Sequence, residues 1–204
     1  MQASDIDGIL EFLRAAEGLK TATRSGWTSS GRQESVADHT WRLCLMALVV
    51  HPGFAGVDFG RLIRMCIIHD LGEAIGGDIP APEKARRVTN KAVEERRDLV
   101  ELVAPLRVPL QNEILALWDD YEAAESPEAR LAKALDKFET ILQHNQGQNA
   151  PDFDYRFNLG YGSAYTGDHP LLVALRKVLD EETETRARQS DAASGSASSP
   201  GAAG

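Results

Sequence analysis

Apolar side chains recur at intervals of three and four through most of this chain, and no stretch alternates with period two for long. That pattern predicts helices. Ile9, Leu10, Leu13 and Ala16 fall at helical spacing in a first helix that Ser4 can cap. Ser35-Val-Ala-Asp38 has the form of a capping box, with Asp in place of the usual Glu, and opens a second helix through Val50. The far half of that helix is apolar all round, which predicts deep burial. Asp58 caps a third helix from Phe59 to about Leu71, again almost wholly apolar, with Gly72 marking its end.

Glycines and prolines crowd the stretch Gly76 to Pro82 and predict an irregular segment, after which Pro82 opens a long charged helix to about Val103. Leu110, Ile114, Leu117, Trp118 and Tyr121 form another amphipathic stripe. Ser126-Pro127-Glu128 reads as a cap followed by a first-turn proline, opening a helix with Leu131, Leu135, Phe138 and Leu142 on one face. Pro170 starts a last helix carrying Leu171, Leu175 and Val178. The expected fold class is all-α. The pattern predicts one domain over residues 1–183 and a disordered tail over 184–204, where Ser, Ala and Gly leave almost nothing large and apolar to offset ordering entropy.

Size and charge narrow the function. A chain of 204 residues suits one sizeable core and is short for two. Its formal charge of −9 argues against a surface that tracks nucleic-acid phosphates or an anionic membrane. Cys44 and Cys66 sit inside apolar runs and read as reduced, buried thiols. The start, MQASDIDGIL, lacks the basic region of a secretory signal, and the longest apolar run, Leu43 to Val50, is too short to span a bilayer. A soluble, cytoplasmic protein is expected.

Four residues break the apolar pattern in a way that points to chemistry. His69-Asp70 lies among Ile67, Ile68 and Leu71, where an imidazole and a carboxylate are costly unless paired or metal-bound. Taken alone, a carbonyl partner for His69 and an arginine for Asp70 explain the pair equally well. His39 sits just inside the start of the second helix, where a lone histidine is usually filler. Asp136 interrupts the stripe of LAKALDKFETIL, and a surface pair with Lys133 or Lys137 is its ordinary explanation. Together, two imidazoles and two carboxylates from three helices suit one borderline divalent ion such as Mn, Co, Ni, Fe or Zn.

The order His39, His69-Asp70, Asp136 resembles the H…HD…D signature of HD-domain metal phosphohydrolases. The runs Glu34-Ser-Val-Ala-Asp-His39, His69-Asp-Leu-Gly-Glu73, Gly77-Asp-Ile-Pro80 and Leu135-Asp-Lys resemble the 5'-deoxynucleotidase branch, and Arg24-Ser-Gly-Trp27 resembles that branch's substrate motif. The resemblance covers roughly residues 8 to 147. It implies an HD-domain helical bundle with a buried mononuclear metal site (Mn, Co or a similar ion), deoxyribonucleoside 5'-monophosphates as substrates, and a homodimer. His39, His69, Asp70 and Asp136 are the implied metal ligands. Dinuclear members use extra histidines between the HD pair and the last Asp, and this chain has none between Asp70 and Asp136. Glu73 is the expected general base or acid, on the face of His69 and Asp70 if the helix continues that far. Asp78 is implied as a residue handling substrate or water. Arg24 offers a planar fork to phosphate, and Trp27 a ring against the sugar that disfavours a 2'-hydroxyl. A broader nucleotide phosphohydrolase and a non-catalytic metal- or nucleotide-binding module are the competing readings. A purely structural adaptor leaves the buried His-Asp pair without a purpose.

Overall fold

The computed structural model describes residues 3–78 and 91–197. Helices dominate: α1 Ala3–Ala16, α2 Val36–Val50, α3 Phe59–Ile68, α4 Glu73–Gly76, α5 Lys91–Val103, α6 Val108–Ala123, α7 Pro127–Gln146, α8 Phe157–Gly160 and α9 Pro170–Ala197. The all-α expectation holds apart from one two-stranded sheet, β1 Thr23–Trp27 against β2 Gln33–Ser35. The caps form as the sequence predicts. Ser35 Oγ accepts from the Asp38 amide, and the Asp38 carboxylate accepts from the Ser35 amide. Asp58 Oδ1 accepts from the Arg61 amide, and Ser126 Oγ from the Ala129 amide. Each such cap stabilises its helix by about 1 kcal/mol.

The chain forms two compact units, Met1–Ser25 with Gln33–Asp136 and Gly26–Arg32 with Lys137–Gly204. In the first, α2 packs on α3, α3 and α5 pack on α6, and α4 lies against α5. Val36, Leu43, Leu62, Met65, Cys66, Leu99 and Val103 are fully buried there. Each large side chain of that set contributes roughly 1.5–3 kcal/mol over exposure. Gly72 makes the α5 approach possible, because a Cβ on it would stand 2.6 Å from the Glu95 carbonyl oxygen. In the second unit, buried polar groups pair with one another. His144 Nδ1 donates to Asn158 Oδ1 at 3.1 Å, Thr183 Oγ1 donates to Asn145 Oδ1 at 2.9 Å, and Asn145 Nδ2 donates to the Leu179 carbonyl at 3.0 Å. No described helix is long and apolar enough to cross a membrane.

Several expectations shift. The far half of α2 is not buried all round: Leu43, Ala47 and Val50 face inward, whereas Trp41 (65% exposed), Leu45 (41%), Leu48 (54%) and Val49 (73%) form an exposed stripe. An apolar helix needs only one covered face to dock. In α1, Leu10 and Leu13 are exposed, and in α9 the buried positions are Leu172, Arg176, Leu179, Thr183 and Ala187 rather than Val178. α9 also continues to Ala197, past the expected limit of order at residue 183. Small Thr and Ala carry its inner stripe, and Arg186 Nη2 donates to the Gly147 carbonyl and the Tyr155 hydroxyl. Residues 198–204 and the Pro82 start of the charged helix lie outside the described residues, and α1 begins at Ala3, before the expected Ser4 cap. Finally, α3 stops at Ile68, with His69 as its C-cap, and α4 starts afresh at Glu73.

Candidate metal centre

The side chains singled out by the sequence as metal ligands meet inside the first unit. His39, in the second turn of α2, is fully buried. His69 stands at the end of α3, where its Nδ1 lies 2.8 Å from the Cys66 carbonyl oxygen. A carbonyl only accepts, so Nδ1 carries a proton, and Nε2 is the ring nitrogen left to face an ion. His39 Nε2 lies 3.3 Å from that Nε2, and Asp70 Oδ2 lies 3.1 Å from it and 4.0 Å from His39 Nε2. His39, His69 and Asp70 offer ligand atoms all within 4.8 Å of one another. Asp136 enters from the middle of α7, its Oδ1 3.3 Å from His39 Nε2. Donors bound to one ion at about 2.1 Å stand about 3.0–3.4 Å apart when adjacent and about 4.2 Å apart when opposite in an octahedral site, so His39, His69 and Asp70 fit a single divalent cation, and Asp136, outside that mutual group, adjoins it through His39.

The charge around the cluster is arranged to keep Asp70 ionised. Burial pushes its pKa up, but His69, Arg24 and His39 more than offset this and hold it well below the ordinary carboxylate range. Arg24 projects from β1, donating from Nη1 to Asp70 Oδ2 at 3.2 Å, with its Nε 3.5 Å from the buried carboxylate of Glu34 on β2. Burial would lower its pKa, yet Asp70, Asp78, Asp136 and Glu34 together raise it well above the usual value. The same interaction places the Asp78 charge within range of Arg24. Glu73 is buried, and its backbone N–H donates to the Asp70 carbonyl at 3.0 Å. The continuous helix that would set Glu73 on the face of His69 and Asp70 is not formed: α3 ends at Ile68, and Glu73 follows a turn over residues 69–72. Gly76 faces Asp98, whose Oδ2 would stand 2.5 Å from an added Cβ.

Trp27 belongs to the second unit. Its backbone is fastened on both sides: its N–H donates to Asn149 Oδ1 at 3.2 Å and its carbonyl accepts from Gln143 Nε2 at 2.6 Å.

Three side chains at the centre escape a reading by pattern. Tyr121 donates its hydroxyl to Asp136 Oδ2 at 2.7 Å, and Trp118 Nε1 donates to the His69 carbonyl at 3.1 Å. Both appear in the sequence simply as apolar members of the α6 stripe. Burial and the charges of Asp136 and Asp70 raise the Tyr121 pKa well above its usual value, so the phenol stays protonated and donates. Glu34, quoted only as part of a motif, turns out to flank Arg24.

A family model described as HD domain matches residues 16–176, a span that includes all four candidate ligands. The chain belongs to the HD-domain family. Its HD-domain relatives include the 5'-deoxynucleotidase HDDC2 of Bos taurus, 36% identical over 178 residues, covering 85% of this chain and 85% of that protein. The 5'-deoxynucleotidase HDDC2 of Homo sapiens is 34% identical and covers 87% of each chain. Among solved structures, a predicted metal-dependent phosphohydrolase from Magnetospirillum magnetotacticum superposes with a TM-score of 0.75 at 28% identity, over 90% of this chain and 94% of that one. The HD-domain resemblance drawn from the motifs is therefore borne out.

Proposed function

We propose that this chain is a metal-dependent 5'-deoxynucleotidase, hydrolysing deoxyribonucleoside 5'-monophosphates to deoxyribonucleoside and inorganic phosphate. The observation that carries the reading is the convergence of His39 Nε2, His69 Nε2 and the carboxylates of Asp70 and Asp136, with a buried arginine at its edge, in a chain similar to 5'-deoxynucleotidases over most of its length. His39, His69, Asp70 and Asp136 would hold one divalent ion, with Mn or Co the ions of choice. Bound there, the cation neutralises charge on the phosphoryl group and makes water more acidic.

The remaining steps fall to the chain's own side chains. Arg24 turns its guanidinium fork from Asp70 toward a phosphate oxygen, a charge-assisted contact that fixes the phosphorus near the ligand cluster. A water oxygen attacks phosphorus as the bond to the 5'-oxygen breaks. The Glu73 carboxylate takes the water's proton or, in its acid form, supplies one to the leaving 5'-oxygen. Asp78, whose charge bears on Arg24, steadies the water or substrate at the same edge. Trp27, anchored by Gln143 and Asn149, packs on the sugar and disfavours a 2'-hydroxyl. The negative net charge does not oppose substrate capture, since attraction comes from the local cation and Arg24.

The test is phosphate release from a panel of nucleotides with Mn or Co. dAMP and dTMP are expected to be turned over about 10–100 times better than AMP, the range within which a packing surface rejects an added hydroxyl. Equal rates on AMP would remove the deoxyribose selectivity, and tight binding without release under any ion would favour the binding-module reading.

The exposed stripe Trp41, Leu45, Leu48 and Val49 on α2 supports a homodimer, since contiguous apolar patches mark association surfaces. Sedimentation equilibrium is expected to give twice the chain mass for the native protein, and the monomer mass for a Leu48→Glu, Val49→Glu variant. A cytoplasmic location is in keeping with the free thiols of Cys44 and Cys66.

A further inference from the structure

We infer that Tyr121 is a positioning residue for the metal centre, its hydroxyl fixing the rotation of the Asp136 carboxylate so that one oxygen alone is presented to the ion. The inference rests on the proposed metal site and assigns it a residue that supports a ligand without being one.

A carboxylate on a helix can offer either oxygen, or both, to a cation. Here the two are already distinguished. Asp136 Oδ2 accepts the Tyr121 hydroxyl at 2.7 Å, while Oδ1 stands 3.3 Å from His39 Nε2. Both side chains are buried, so water does not compete for that hydrogen bond. The donor itself is held from two sides. Its ring lies 5.3 Å from the His69 ring, and the Lys133 ammonium sits 4.3 Å from its centroid, itself paired with Glu122 at 2.9 Å. The phenol therefore has little freedom to swing away.

The same helix supports the other side of the cluster. Trp118, one turn earlier on α6, donates to the carbonyl of His69, and His69 Nδ1 is fixed by Cys66. α6 contributes none of the four candidate ligands, yet it touches two of them at polar atoms. A helix that served only as packing would present aliphatic side chains there. Outer partners that orient metal ligands are typically worth 10–100-fold in affinity.

The experiment is a titration of metal-stripped protein with Mn(II), read by the electron paramagnetic resonance signal of free Mn(II), for wild type, Tyr121→Phe, Asp136→Ala and the double variant. Tyr121→Phe keeps the ring and removes one oxygen, and the thermal melt of the metal-free protein checks that it folds. The Kd for Mn(II) is expected to rise about tenfold or more in Tyr121→Phe. In the Asp136→Ala background the same change is expected to alter the residual Kd by less than about twofold, because the hydroxyl acts through that carboxylate. An unchanged Kd in a folded Tyr121→Phe protein, or an equal loss in both backgrounds, overturns the inference. Should Tyr121→Phe fail to fold, Tyr121→His, whose imidazole N–H can still donate, is expected to bind Mn(II) more tightly than Tyr121→Leu; equal affinities would overturn it. Wild-type protein that takes up no Mn(II) would instead bring down the metal site itself.

Discussion

Changing Glu73 to glutamine is expected to cut phosphate release from dAMP by about 10²–10⁴-fold, the usual contribution of a positioned proton-transfer group. The substitution keeps shape and hydrogen-bonding capacity and removes only the ability to exchange a proton. Glu73 is buried at the head of α4, and its amide is tied to the carbonyl of Asp70, a candidate ligand. It is not one of the four candidate ligands, His39, His69, Asp70 and Asp136. Manganese affinity in Glu73→Gln should therefore stay within about threefold of wild type while kcat falls, since oriented ligands rather than neighbours set most of the binding energy. The check is kcat at saturating dAMP and Mn(II), with bound Mn(II) measured on the same sample. Turnover at the wild-type rate would remove the acid/base assignment, whereas a parallel loss of metal would make Glu73 part of the cage.

Asp136→Ala is expected to weaken ion binding severely and to lower phosphate release by at least about 10³-fold, because unaided hydrolysis of phosphate monoesters is among the slowest of biological reactions. The loss has two parts. One of four donors disappears from the cluster, and the Tyr121 hydroxyl is left buried without its acceptor, at a cost of about 1–3 kcal/mol. The stability readout follows by linkage. Mn(II) at 100 times its Kd stabilises the folded state by about 2.7 kcal/mol. For a chain of this size that corresponds to a rise in Tm of roughly 5–10 °C. Wild type is expected to show that rise and Asp136→Ala to lose it. A variant that still melts higher with Mn(II) would place Asp136 outside the coordination sphere.

What the sequence reveals of this site follows from what a hydrophobic pattern encodes. Polar residues inside apolar runs stand out, which is why His69-Asp70 and Asp136 are visible. Caps are local, so Ser35, Asp58 and Ser126 announce their helices. A periodic stripe says which face is covered, but not by what. Tyr121 and Trp118 therefore read as plain core, although their polar ends reach Asp136 and His69. The aromatic residues with a polar handle are the one available signal, since such groups find a partner when buried. The early end of α3 is equally hidden. Ile67, Ile68 and Leu71 continue the apolar run, so periodicity does not mark the stop at Ile68. The short hairpin escapes because strands of five and three residues are too brief to show an alternation. Order to Ala197 in α9 escapes because arginine contacts such as Arg156 with Asp191, at 3.1 and 2.6 Å, are invisible to composition.

The central claim is that one divalent ion sits among His39, His69, Asp70 and Asp136. Anomalous scattering at the manganese edge from crystals of the Mn(II)-loaded protein tests it most directly. One peak per chain is predicted, at about 2.0–2.3 Å from the Nε2 atoms of both histidines and an oxygen of each aspartate. Two peaks at the cluster, or a single peak elsewhere with these four side chains unengaged, would contradict it.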